Sequence, residues 1–202
     1  MRKMICLISL CVNSFMYSQN NISVGLKSGV TIADQSGHSF STKPIFSPNC
    51  ALFCDFMFNR YFSVSSELGY VQKGFKESIE ITTVEHPEGT GDFMQFSNRL
   101  NYLSLSVGPK VCVPLTKISP YLYIAPRYDQ LLSKDLVYIY TNDPKSYSFS
   151  LFYALGIETK EIFPFAVLAE LSYNSDLTDL YGGNVKGIKN RVYEIRLGAR
   201  LK

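Results

Sequence analysis

The chain has 202 residues, 46% of them hydrophobic and 18% charged, which is enough for one domain with a sizeable interior and excludes a disordered or highly charged chain. Its 20 Lys and Arg against 17 Asp and Glu give a net charge of +3, too little to point to nucleic acid. A mean hydropathy of +0.02 and a single short apolar run, residues 4–12, exclude a helical membrane protein.

That run follows Arg2 and Lys3 and precedes Met16-Tyr17-Ser18. A basic start, a short apolar stretch and a small residue before the cut predict a secretory signal peptide over 1–18, with Gln19 as the mature start. Bulky Leu10 before Cys11 disfavours a lipoprotein anchor there. Without the signal, Lys and Arg fall from 20 to 18 against 17 acids, a charge of about +1. Cys50, Cys54 and Cys112 remain, with no metal-ligand spacing. On one strand, Cys50 and Cys54 would lie roughly 13 Å apart, too far for a disulfide. All three read as small apolar residues on an outer face.

Period-two alternation dominates the rest and predicts eight strands. Strand 22–34 sets Ile22, Val24, Leu26, Val30 and Ile32 against Ser23, Gly25, Lys27, Gly29 and Thr31. Strand 50–58 sets Leu52, Cys54, Phe56 and Phe58 against Asp55. Strand 62–76 has Phe62, Val64, Leu68 and Tyr70 on one face, with Glu67, Gly69 and Lys73 on the other. Strand 99–113 places Leu103, Leu105, Val107, Val111 and Val113 opposite Ser104, Ser106, Gly108 and Lys110. Strand 120–129 is less regular, with Leu122, Ile124 and Tyr128 against Arg127 and Asp129. Strand 148–158 alternates Phe149, Leu151, Tyr153, Leu155 and Ile157 with Ser150, Ala154, Gly156 and Glu158. Strand 165–174 alternates Val167, Ala169, Leu171 and Tyr173 with Glu170 and Ser172. The last, 193–201, alternates Tyr193, Ile195, Leu197, Ala199 and Leu201 with Glu194, Arg196, Gly198 and Arg200. Pro109 and Pro126 predict bulges, since proline cannot donate to a ladder.

The links between these strands alternate in length. Residues 59–61, 114–119 and 159–164 are tight, whereas 35–47, 77–98, 130–147 and 175–190 are long and polar. Short hairpins at one end and long ones at the other fit an eight-stranded antiparallel up-and-down transmembrane β-barrel over 19–202, whose short turns face the periplasm. The polar face then forms the lumen. It carries Lys27, Lys73, Lys110, Arg127, Arg196 and Arg200 with Asp55, Glu67, Asp129, Glu158, Glu170 and Glu194, balanced charge interleaved with Gly, Ser and Ala. Eight strands leave room only for side chains, so this network reads as a salt-bridge plug and not an ion path. Leu26, Leu68, Leu105, Leu155, Leu171 and Leu197 are expected to face lipid. Phe58, Tyr61, Phe62, Tyr70, Tyr128, Tyr173 and Tyr193 are expected to form the interfacial girdles. A soluble exported calyx with its apolar face turned inward onto a ligand is the alternative. Carbonate extraction separates the two.

Several segments resemble the outer-membrane β-barrel (porin family, PorT-like) proteins of Bacteroidota. They are residues 62–74 with a Glu, Tyr and Lys-Gly pattern, Asn101-Tyr102-Leu103-Ser104-Leu105, and 120–126 with Ala125 in place of a usual Gly. Glu170-Leu171-Ser172-Tyr173 followed by Asp176-Leu177-Thr178-Asp179, and 190–198, complete the set. The resemblance implies an eight-stranded outer-membrane barrel without catalytic residues. One branch of the family assists type IX protein secretion. Expected partners are outer-membrane lipid, the barrel-assembly machinery and, through the long links, an envelope or secretion protein. No cofactor and no nucleic acid is expected. His38 and His86 fall in long links and, with Asp92, Asp176 and Asp179, are the only candidates for chemistry at a barrel mouth. Solvated link residues are the expected reading.

Overall fold

A computed structural model describes residues 21–37, 42–81, 91–136, 143–159, 165–182 and 187–201; the expected signal peptide, His38 and His86 lie outside them. The described chain forms eight strands: β1 (Ile22–Ser36), β2 (Ile45–Met57), β3 (Phe62–Glu80), β4 (Phe93–Cys112), β5 (Ile118–Asp135), β6 (Tyr147–Thr159), β7 (Phe165–Asp176) and β8 (Lys189–Leu201). Each pairs antiparallel with its sequence neighbours, and β8 pairs with β1 to close the barrel. Closure leaves no sheet edge, so every strand has a hydrogen-bonding neighbour on both sides.

Alternation sets the two faces. Along β8, Tyr193, Ile195, Leu197, Ala199 and Leu201 are exposed on the outer wall, while Val192, Glu194 and Arg196 are buried inside. β7 repeats the pattern, with Leu171 outward beside Ile195 and Glu170 inward beside Arg196. The outer wall is therefore apolar and the interior charged, the inverse of a soluble calyx.

The strands run past their expected ends at the long-link side. The β3–β4 ladder continues to Glu80↔Phe93, inside the region expected to be a link. β2 begins at Ile45 and includes Pro48, which pairs with Val30 of β1 and lies beyond the last β2–β3 ladder pair, Cys50↔Tyr70. Beyond the apolar band neither face is required to be apolar, so the period-two contrast that marks a strand in sequence fades before the pairing does.

The bulges do not fall at the prolines. Val107–Pro109 and Ile124–Pro126 leave a gap in the β4–β5 ladder, but Ser106↔Arg127 and Lys110↔Tyr123 keep one register across it. The register shifts between Asn101 and Tyr102, which face Ser133 and Leu131, so that Leu132 is the extra residue. Gly108 allows the close approach at the proline gap, since a Cβ there would strike the Ile124 carbonyl.

Two glycines make room for lumen rings. A Cβ on Gly25 would strike the Phe53 ring, and one on Gly156 would strike the Tyr121 ring. Each glycine is the cross-strand partner of the ring it accommodates, Gly25 of Phe53 on β1 and β2 and Gly156 of Tyr121 on β6 and β5.

Candidate functional site

Among the described residues, charge gathers in the lumen. Every expected lumen residue has its side chain inside: Lys27, Asp55, Glu67, Lys73, Lys110, Arg127, Asp129, Glu158, Glu170, Glu194 and Arg196 are buried, and Arg200 is 20% exposed at the short-turn mouth. They pair in three tiers. At the short-turn end, Lys110 donates to Asp55 at 2.7 Å and Arg200 pairs with Glu158. In the middle, Lys27 bridges Glu67 and Glu170, the latter at 2.8 Å, and Tyr121 donates to Glu170 at 2.7 Å. Arg196 reaches Glu170, Glu67 at 3.1 Å and Glu194 at 3.4 Å. Arg127 joins Glu194, at 3.0 Å, to Asp129, at 2.9 Å, in the upper tier. There Lys73 bridges Asp129 and Asp176 at 2.8 and 2.7 Å.

Asp176 corrects the sequence reading, which left it in a link. It is the last residue of β7, buried, and also accepts from Asn190, which in turn accepts from Gln35. Glu77, likewise read as a link residue, is buried on β3 near Asn98. The lumen thus holds more acid than the sequence reading counted, and the excess lies toward the long-link end.

The interior is not the polar and small-residue face that alternation suggested. Phe53, Tyr102, Tyr121, Tyr123 and Phe152 are buried inside it. Their rings separate like charges. Phe53 lies between Lys27 and Lys110, 4.9 and 5.7 Å from its centroid, and Phe152 between Arg196 and Arg127, 5.2 and 5.4 Å away. Each cation faces the negative ring surface in a site that excludes water, where this attraction is strongest. Period two hides these residues because an inward aromatic reads only as a lapse in the polar face.

Above the upper tier, an apolar stopper closes the long-link end. Ala33, Ile45, Val71, Leu100, Tyr102 and Val192 from the wall pack around Leu180, Tyr181 and Ile188 from the β7–β8 link. The link is tied down by Leu180 N donating to Ile188 O and Lys145 N donating to Leu180 O, both at 2.8 Å. Burial and the nearby Glu77 carboxylate push the Tyr181 hydroxyl up to about 12, which keeps it neutral.

The outer wall presents Leu26, Leu68, Leu105, Leu155, Leu171 and Leu197 outward, all exposed. Phe58, Tyr61 and Phe62 ring the short-turn end, and Tyr70, Tyr128, Tyr173 and Tyr193 the other. Tyr173 and Tyr193 pack at 4.9 Å, tilted to each other, across β7 and β8, and Phe149 and Tyr147 extend the upper ring beside Tyr128. Tyr70 donates to Asn101 at 2.8 Å. All three described cysteines are free. Cys50 and Cys54 are outward as expected, but Cys112 shares the inward parity of Lys110 and lines the short-turn mouth. Asp92 is exposed and Asp179 half-buried, each in a long link and apart from Asp176 in the lumen. Among the described residues, no group of His, Cys, Asp or Glu is arranged to hold a metal ion.

Residues 17–182 match the model of a family described as outer membrane protein beta-barrel domain. No curated protein sequence matches the chain. Among solved structures, the chain is similar to the outer membrane protein OprG from Pseudomonas aeruginosa, with 12% identity, TM-score 0.53, and 89% of this chain and 95% of that one covered. It is similar as well to Neisserial surface protein A, with 15% identity, TM-score 0.52 and coverages of 90% and 96%. AlkL, solved by solid-state NMR in lipid bilayers, matches with 8% identity, TM-score 0.50 and 90% of each chain covered. At these identities the likeness speaks for the fold.

Proposed function

The chain belongs to the family of outer membrane protein β-barrel domains, and from that premise we propose that it is a non-enzymatic barrel with a structural or interaction role and a lumen that does not conduct. Its place is the outer membrane. One observation carries the proposal. All six lumen cations are held by acids, most of them on other strands, beneath a mouth stoppered by Leu180, Tyr181 and Ile188. A charged group whose partners and hydrogen bonds are in place is costly to free, so this interior stays shut.

Short turns of outer-membrane barrels face the periplasm, so residues 37–44, 81–92, 136–146 and 177–188 would lie outside the cell. Those links then carry the specific role: envelope integrity, adhesion or assistance to secretion. The finer family reading, a PorT-like barrel of Bacteroidota with a signal peptide over 1–18, rests on the sequence resemblance and belongs to the same proposal. So do outer-membrane lipid, the barrel-assembly machinery and a loop-bound envelope or secretion protein as partners, with no nucleic acid among them.

Three measurements test this. Purified protein in planar bilayers is expected to give no stable, selective conductance; such a conductance would overturn the closed lumen. On intact cells, protease is expected to cut within 81–92 and 136–146 and to spare 113–117. A membrane-impermeant maleimide is expected to label Cys112 only after the outer membrane is opened, because Cys112 lines the short-turn mouth. Labelling on intact cells would reverse the orientation.

A further inference from the structure

Cations gather on the outward face of the barrel above the upper aromatic ring. Lys43, just before β2, and Lys76 of β3 form an isolated bridge in which each backbone N–H donates to the other's carbonyl at 2.8 Å. Paired residues share a face, and Phe75 and Glu77 on either side of Lys76 are buried inside. Both lysines therefore point outward, their Cβ atoms about 5 Å apart. Lys76 pairs with Ser97 across β3 and β4, so the exposed Arg99 stands one diagonal step away on the same face. Lys189 and Arg191 continue the belt on β8 above Tyr193. Asp34 lies in register with Arg191 and Asp135 with Arg99. Among the described residues, neither acid forms an ion pair with these cations, in contrast to every cation in the lumen. Like charges directly opposite on a ladder are destabilising, so an anion seated between Lys43 and Lys76 removes a cost that the fold alone bears.

Height selects the anion. The apolar band on this wall ends at Tyr70 and Leu103, which pair across β3 and β4. Arg99 lies four residues beyond Leu103, and Lys76 six beyond Tyr70. At about 3.3 Å per residue and a tilt of about 40°, Arg99 stands roughly 10 Å and Lys76 roughly 15 Å above that edge. The headgroup zone of a phospholipid bilayer is only about 5–8 Å deep on each side. A lipid phosphate that meets these cations must ride on a taller headgroup, such as a saccharide. The wall between the edge and the cations suits one. Tyr70 and Gln72 donate to Asn101 at 2.8 and 2.7 Å, and Asn101 donates to Ser133 at 2.8 Å, a row of amides and hydroxyls facing out. We propose that the outward face of β2–β4 above the aromatic ring binds a phosphorylated glycolipid of the outer leaflet. Its phosphate bridges Lys43, Lys76 and Arg99, the arginine fork offering two parallel donors, and its sugars lie on the row from Tyr70 to Ser133. This deepens the lipid partnership proposed above and rests on the orientation given there, which protease on intact cells decides separately.

The lysines themselves report occupancy. The purified barrel in phosphatidylcholine bicelles is acetylated with an amine-reactive ester, and the rates at Lys43, Lys76 and Lys117 are read by mass spectrometry. Lys117 is exposed in the short β4–β5 turn at the other end and serves as the reference. Lipopolysaccharide, the same lipopolysaccharide dephosphorylated, phosphatidylglycerol or inorganic phosphate is added in turn. Intact lipopolysaccharide is expected to slow Lys43 and Lys76 several-fold and saturably while leaving Lys117 unchanged. Arg99→Gln should raise the half-protecting concentration several-fold, and Arg99→Lys should recover part of it. Lys76→Gln, read at Lys43, should weaken protection in the same way. The proposal is overturned if intact lipopolysaccharide does not protect, or if the dephosphorylated form, phosphatidylglycerol or inorganic phosphate protects as well. Equal slowing at Lys117, or protection unchanged in both Arg99→Gln and Lys76→Gln, overturns it too.

Discussion

Replacing Arg196 by methionine is expected to cost about 3–5 kcal/mol, the loss typical of removing one partner of a buried ion pair. Arg196 is 4% exposed and holds three carboxylates: Glu67 on β3, Glu170 on β7 and Glu194 on its own strand. Lys27 and Arg127 would then be left to neutralise three acids in a space too narrow for bulk water. The change would also bare one face of the Phe152 ring, on which the guanidinium rests at 5.2 Å. Urea unfolding of the barrel in lipid vesicles measures the loss. Arg196→Lys should recover part of it, since a point charge reaches fewer of the three acids than a planar fork does. Adding Glu170→Gln to Arg196→Met should also recover part, because it removes the charge left unpaired. A loss near zero for Arg196→Met would mean that water enters the lumen and screens the network.

One residue further on, Leu197→Arg is expected to cost about 2–4 kcal/mol or to block insertion, for the opposite reason. Leu197 points outward, is 64% exposed, and lies on β8 midway between Tyr193 of the upper ring and Leu201 near the short-turn end. Its register partners, Ala169 and Ser28, offer no acid to an arginine placed there. At the level of the girdle the penalty should nearly vanish, so Tyr193→Arg is expected to cost about 0–1 kcal/mol. Urea titration of the folded band on unheated gels gives both values. Equal costs at the two depths would mean that this wall does not cross lipid.

The pair Arg196 and Leu197 marks what could be read without coordinates. Adjacent residues on a strand point to opposite faces, so alternation gave the eight strands and their two faces, while the balanced charge of the polar face and the rhythm of the links pointed to that face as the lumen and to the end at which each turn lies. Links were legible where the apolar band ends abruptly, as at 59–61, and misjudged where strands continue beyond lipid, as at Glu77 and Asp176.

Alternation says which face a residue takes but nothing about its height around a closed ring. Sequence therefore assigned Lys27 and Glu170 to the same interior without saying that they touch. Their 2.8 Å contact spans 143 positions and exists only because β8 closes onto β1 and carries β7 beside it. The same closure brings Phe53 within reach of two lysines and folds Leu180 and Ile188 into the mouth. Face is a local property of a pleated strand with a period of two. Partnership depends on register and closure, which are set by all eight strands together, and only the tertiary structure decides it.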